Sequence, residues 1–534
     1  MEFVADDVAA LRAQVDKLAA RVDALAADRE HYRELYLRAL EQVRKLELGI
    51  TGAKAERLPV NEAQLTMGLL ETLLGRAATP EPATPLETVR AHTRAKPTGR
   101  KPLPEDLPRV EIEVVPPEVE REGRDAFEQI GEEVAETVER RPASVVVVRI
   151  RRPKFVRKDR ERLAETQVLC GAPPELPIER GLAGPGMLAD TIVRRWQDHL
   201  PLYRLESIYA REGLDLARST MCGWHDELAA LANPVVEAMW TDARGSPYLC
   251  TDSTGVLVQE REQCRWGHFW VVVAPRRHVL YAYSAHHDGD AVDDLLAGYE
   301  GYLVADAHAV YDHLYRSGKI FEVGCWAHTR RYFWNALDSE PERARQALAL
   351  IGELFRIERA LADKLPYQRL EAREREAAPV VERFFAWCDA EAPHVLDDTP
   401  IAKGIGYARN QRKALSRFLR DGRLPVHNNA SENALRREVL GRKNWLFVGN
   451  DDAAEVNATF VTLLASCQMH GLEPWSYLRD LFCLLPSWPR KRVLELAPLH
   501  WKQTLEQPEA QERLAANVFR RVVLADPAQH HDQK

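Results

Sequence analysis

Along the first fifty residues, apolar positions recur in alternating steps of three and four: Val8, Leu11, Val15, Leu18, Val22 and Leu25. The register continues through Tyr32, Tyr36, Ala39, Val43, Leu46 and Ile50, with Arg29 the one charged intruder. A seam held over about six heptads predicts a coiled coil across 1–52, since a lone helix of that length has no core in which to bury its stripe. A helix folded back on its own chain would show the same pattern; the length of the seam favours self-association. The pattern then breaks. From 53 to 117 the chain is rich in proline and basic residues, as in Lys96-Pro97-Thr98-Gly99-Arg100-Lys101-Pro102, and reads as an extended linker.

Residues 118–175 are expected to form a small β unit, centred on the β-branched run Val145–Val148. The basic stretch after it contains Arg151, Arg152, Lys154, Arg157 and Lys158, and is either a solvated face or a phosphate-contacting surface. From 176 to 240 the pattern is helical: an amphipathic segment from Met187 to Leu200, a second ending at Gly213, and a third capped by Ser219-Thr220 and running through Leu231. A helix, a glycine turn and a capped helix outline a helix-turn-helix, a pattern that many helical hairpins share. Between 241 and 338 the period switches to strands alternating with helices, which predicts a mixed α/β sheet. Residues 339–423 are helical throughout, 424–470 open on a further helix start at His427–Asn433, and 471–534 form a helical tail. The predicted fold class is multi-domain, α/β plus α.

Composition narrows the picture. At about 100–200 residues per domain, 534 residues make roughly three or four domains. No apolar run approaches the ~20 residues of a membrane span, and Met1–Asp7 is acidic rather than signal-like, so a cytoplasmic protein without a membrane partner is expected. The eight cysteines are scattered without a C-x-x-C pair, which predicts small buried hydrophobes in a reducing compartment. The net charge of −8 excludes no nucleic-acid partner, because binding needs a basic face and not a basic total.

Two aspartates stand out by position. Asp252 and Asp306 each follow an apolar strand run, and the C-terminal end of a buried strand is where an α/β sheet opens to ligand. Two carboxylates placed together repel unless a cation lies between them, and Mg2+ or Mn2+ suits all-oxygen donors. The plainer alternative is that Asp252 caps a turn and Asp306 the helix after Ala307. Glu432 is the third candidate, although a glutamate at a helix start also favours the dipole. Arg436, Arg437, Arg442 and Lys443 follow it, with Trp445 and Phe447 beyond an expected turn at 441–444; basic residues beside aromatics suit a nucleic-acid surface, and core packing is the commoner fate of such rings. Cys325-x-x-His328 supplies half a zinc shell and is read as a packed strand end; Arg330 and Arg331 beside it are better placed for phosphates.

Several long segments, in one order, carry a resemblance: Ile178–Leu188, His199–Gly213, Cys325–Arg331, and Asn428–Ala434 leading into Gly441–Phe447. They resemble the insertion sequence 66 family of transposases. The resemblance implies an RNase H-like catalytic domain with a helical insertion and an Asp-Asp-Glu triad at Asp252, Asp306 and Glu432, spaced by 54 and 126 residues. It implies two Mg2+ (or Mn2+) ions, double-stranded DNA partners at element ends and target, helper proteins from the same element, and a bacterial, nucleoid-associated location. Two departures stand out. The stretch 120–170 has Arg157 where the family carries a cysteine, so no zinc is expected there, and Ser253 and His427 replace acids common in the family. The rival readings are a catalytically inactive DNA-binding relative, an RNase H-like nuclease or resolvase, and a coiled-coil scaffold.

Overall fold

The computed structural model describes residues 103–105, 107–141, 144–158, 168–179, 181–261 and 263–524. The coiled-coil seam and the linker up to residue 102 lie outside them; the described end of the expected linker, 103–105 and 107–117, is not all extended linker but carries a strand at Arg109–Glu113. The described residues divide into two compact units: Thr329–Leu354 with Glu382–Asn410, and all the others.

The smaller unit is helical. Phe333, Phe384 and Trp387 pack edge to face at its centre, and Trp387 Nε1 donates to Gln346 at 2.8 Å. Arg343 is held between Glu340 and Glu391.

The larger unit holds two mixed sheets. In the first, β1 (Arg109–Glu113) runs parallel to β3 (Ser144–Arg157), which pairs antiparallel with β2 (Phe127–Arg141) and β4 (Leu169–Cys170). The β-branched run of β3 explains the sheet. Val146, Val148 and Ile150 alternate onto one buried face, where Phe519 and Val522 of the C-terminal helical tail cover them.

The expected helical region follows. Helix α1 (Pro185–Ile192) widens into a π turn to Gln197, α2 (Leu202–Arg211) stops at Gly213 with φ +86°, and α3 spans Arg218–Ala243. Gly213 ends α2 as expected. The third helix differs: it starts at Arg218 without a side-chain cap and runs twelve residues past Leu231, through Pro234. Burial of Val235, Val236, Met239 and Ala243 continues beyond the proline, so packing carries the helix over the missing N–H.

In the second sheet the strand order is β7-β6-β5-β8-β9: β5 (Tyr248–Gln259), β6 (Cys264–Ala274), β7 (His278–Ser284), β8 (Gly301–Val304) and β9 (Ile320–Val323). The first three form an antiparallel meander, and β8 and β9 run parallel to β5. The mixed α/β expectation holds, with one correction. The strand run before Asp252 does not end there but continues as one strand of twelve residues, because β6 pairs with it from Cys250 to Gln259. A two-residue β10 (Phe447–Val448) adds to β5.

The outer edge of β7 is closed by side chains. Helix α6 (Asp451–Met469) supplies Ser466, which bonds both N–H and C=O of Val279, and Thr462, which accepts from Tyr281 N–H at 2.8 Å. Between the sheet and α6 in sequence, α4 spans Trp326–Asn335 and α5 spans Asn429–Trp445. The expected turn at Gly441–Asn444 is absent, and α5 continues to Trp445. Gly441 is there because the Trp445 indole folds back over it; a Cβ would stand 2.7 Å from Nε1.

Cys250, Cys325, Cys388, Cys467 and Cys483 are buried as expected, whereas Cys222 and Cys264 are exposed. Among the described residues, no helix is long and apolar enough to cross a membrane.

Candidate active site

The acids are placed by strand register. Parallel pairing of β5 with β8 ends at Cys250↔Val304, and Asp252 and Asp306 each stand two residues further along. Asp252 is therefore not at the end of its own strand. It lies in mid-strand, just past the point where its parallel neighbour stops. Both aspartates are half-buried. Asp306 does not cap the short helix that follows, a role taken by the His308 side chain, which accepts from Val310 N–H.

The Tyr311 phenol is buried near Thr251; burial raises its pKa, and the negative charges of Asp306 and Asp252 raise it further. Residues that sequence reasoning passed over surround the pair. Ser253, in the family position of a second acid, pairs its Oγ with His287 Nε2 at 2.9 Å. The His287 ring stacks on Trp270 at 4.7 Å and meets His308 and His268 at 4.8 and 4.9 Å. Burial and the neighbouring His308 lower the His287 pKa, partly offset by Asp306. His268 lies within β6, and His287 and His308 in the segments after β7 and β8, so there is no local motif to find.

Helix α5 brings the third acid. Asn428, fully buried before its first turn, donates Nδ2 to the Thr251 carbonyl at 2.8 Å and its backbone N–H to Cys325 Sγ at 3.2 Å. Tyr281 of β7 donates to the Ala434 carbonyl at 2.6 Å, and Arg442 bonds Thr254 Oγ1 and the Gly255 carbonyl, so α5 is tied to β5 and β7 along its length. Glu432, in the first turn, lies with Oε1 3.6 Å from His328 Nε2. Ligand atoms of Cys325, His328 and Glu432 fall within 4.8 Å of one another; the two aspartates are not in that group. The Cys325-x-x-His328 pair, read from sequence as half a shell, thus acquires a third donor from 104 residues further on.

The cations divide into two kinds. On the β2–β3 ladder, Arg151 pairs with Glu132 and Glu111, Arg152 and Lys154 with Glu133, and Arg157 with Glu122; Lys158 is exposed. Around α5, Arg437 donates to Gln197 and Gln468, and Trp445 is buried with Arg195 over its ring at 5.4 Å. Arg436 and Lys443 are exposed, as is Phe447. In the smaller unit Arg330 and Arg331 are exposed, Arg330 lying over the Trp334 ring.

The family model described as "Transposase IS66 family" matches residues 180–456, more than half of the chain. A second, described as "Transposase C of IS166 homeodomain", matches residues 38–112. Among curated proteins, the chain is similar to three described as uncharacterized, all from Sinorhizobium fredii (strain NBRC 101917 / NGR234). Protein y4hP is 29% identical over 87% of this chain and 89% of its own length. Protein y4qI is 29% identical over 93% and 97%, and y4jD 27% identical over 90% and 98%.

Proposed function

The chain belongs to the IS66 family of transposases, and from that membership we propose that it is a DNA transposase whose RNase H-like core cuts element ends and joins them to target DNA. The sheet order β7-β6-β5-β8-β9, an antiparallel meander followed by two parallel strands, supports the RNase H-like reading. In this proposal Asp252, Asp306 and Glu432 hold two divalent ions, Mg2+ or Mn2+. The observation that carries it is the register: each aspartate stands two residues past the last pair of the neighbouring parallel strands β5 and β8, with the helix of the third acid tied by Asn428 to the residue before Asp252. All-oxygen donors beside a buried phenol that feels both aspartates fit hard divalent cations.

When bound, such ions supply charge neutralisation for the attacking and leaving oxygens of an in-line displacement. The chain's own residues do the positioning. Asp252 is fixed by the central strand of the sheet, and its Oδ1 accepts the Ser253 N–H at 2.8 Å. Asn428 sets the start of the glutamate helix, and Arg442 fixes its far end against β5. The exposed cations Arg330, Arg331, Arg436 and Lys443 are the proposed phosphate contacts. Those of the β2–β3 ladder and the helix-turn-helix-like 176–240 region complete the proposed DNA surface, with phosphates exchanging for glutamate partners on the ladder. Self-association is assigned to the seam at 8–50.

Strand-transfer assays with Asp252→Ala, Asp306→Ala and Glu432→Gln test the reading. Loss of joined product in all three is expected, and wild-type rates in all three would refute the triad. Products cut but never joined would instead mark a nuclease.

A further inference from the structure

Cys325 closes the turn after β9 and immediately precedes α4. Its thiol is buried, and Sγ accepts the Asn428 backbone N–H at 3.2 Å. One helical turn on, His328 brings its imidazole to the same place, and Glu432 arrives from α5. The 3.6 Å between His328 Nε2 and Glu432 Oε1 is longer than a hydrogen bond. It matches instead the edge of a tetrahedral shell, about 3.3–3.7 Å for ligands ~2.0–2.3 Å from a central ion.

We propose that Cys325, His328 and Glu432 form a binding site for one borderline-soft divalent ion of the zinc class, sharing Glu432 with the aspartate pair. The donor set decides the ion. A thiolate and an imidazole suit zinc and its neighbours and suit magnesium poorly. Thiolate and carboxylate together balance the two positive charges, with the histidine neutral. Three protein ligands leave a fourth position for water or an incoming oxygen. The consequence rests on the transposase reading: an ion held here keeps Glu432 on Cys325 and His328, so a soft metal and the hard ions of the aspartates compete for one carboxylate.

The test uses the full chain, stripped with chelator and titrated with Co2+. The expected result is one ion per chain with a thiolate-to-cobalt charge-transfer band that Zn2+ displaces. Cys325→Ser removes the band, His328→Ala lowers affinity at least ~10-fold, and Cys222→Ser and Cys264→Ser, at the two exposed cysteines, leave it unchanged. No thiolate band in the wild type, or an unaltered one in Cys325→Ser, overturns the site. Cys325 is buried, so circular dichroism must match the wild type; if it does not, the partly buried His328→Ala decides, and unchanged affinity there refutes the site. A separate arm measures Mg2+-supported strand transfer with added Zn2+, where inhibition reversed by chelator is expected. Absence of strand transfer under all conditions would fail the transposase reading while the cobalt spectrum still judges the metal site.

Discussion

Charge is gathered in two places in the larger unit, and they are built in opposite ways. On the β2–β3 ladder, acids and bases face each other across neighbouring strands: Glu132 stands near Arg151, Glu133 opposite Arg152, and Glu136 opposite Arg149. On the β5, β8 and β9 side of the second sheet, Asp252 and Asp306 stand beside histidines and a buried phenol, while Glu432, from a helix far along the chain, stands beside His328 and the Cys325 thiol. The ladder neutralises itself by local register. Here each acid draws its neighbours from separated segments, and in the proposed triad a divalent cation would offset the gathered negative charge. A run of like charge is therefore a weaker guide to chemistry than acids that only the fold unites.

The largest expected effect tests the second kind. Asp252→Ala or Asp306→Ala should lower strand transfer by about 10³-fold or more, on the order of 4 kcal/mol of transition-state stabilisation, with stability little changed. A loss below tenfold would remove the aspartate pair from the mechanism.

Next in size is the scaffold. Arg373, fully buried, uses all its donors on Glu358 and the carbonyls of Phe418, Asp421 and Leu424, pinning the segment that leads to Asn428. Arg373→Ala should cost about 3–5 kcal/mol, measured by denaturant titration, because it removes the two-pronged partner of the buried Glu358 and leaves that carboxylate only the longer Arg369 contact at 3.4 Å among the described pairs.

A pH effect follows from Glu139, whose buried carboxyl accepts the N–H groups of Arg140, Gly186 and Met187 at the start of α1. It fills the space that side chains at Gly184 and Gly186 would need, which explains the Gly-Pro-Gly sequence there; a Cβ at Gly186 would stand 2.5 Å from Oε1. Burial pushes its pKa up to about 8, against backbone hydrogen bonds that lower it. A raised folded-state pKa means its contribution is full below the ordinary value of 4.5 and declines as pH rises through 8. Thermal stability should thus fall from pH 5 to 9, and Glu139→Gln should flatten that slope, a difference of roughly a few kcal/mol.

The smallest effect belongs to the ladder. Arg151→Ala should change stability by less than about 1 kcal/mol, since its ion pairs are exposed. If the ladder also contacts DNA, the variant lowers the salt slope of binding by about one; an unchanged slope leaves the ladder as a self-paired face.

The sequence was a good guide where interactions are local. The β-branched run of β3, the meander and the glycine stop of α2 follow from neighbouring residues, and the structure keeps them. It was a poor guide where a distant element overrides a local signal. Residues 441–444 read as a turn, yet Trp445 packs back over Gly441 and the helix persists; α3 passes Pro234 because its far half is buried. The basic cluster after Glu432 read as one phosphate surface, but Arg442 and Arg437 are spent on β5, Gln197 and Gln468. The histidines around Ser253 gave no signal, coming from three separated segments of the chain.

The chain's periodicities and motif order determined by themselves the mixed α/β class of the larger unit, the family and the choice of three candidate acids. The tertiary structure alone decided what stands beside each acid. Register set Asp252 and Asp306 each two residues past the last β5–β8 pair, and Asn428 tied the glutamate helix to the central strand, while Cys325 and His328 met Glu432 across more than a hundred residues. The reason is physical: periodicity reports which face of an element is buried, whereas ligand geometry depends on long-range pairing and side-chain packing that no local window contains.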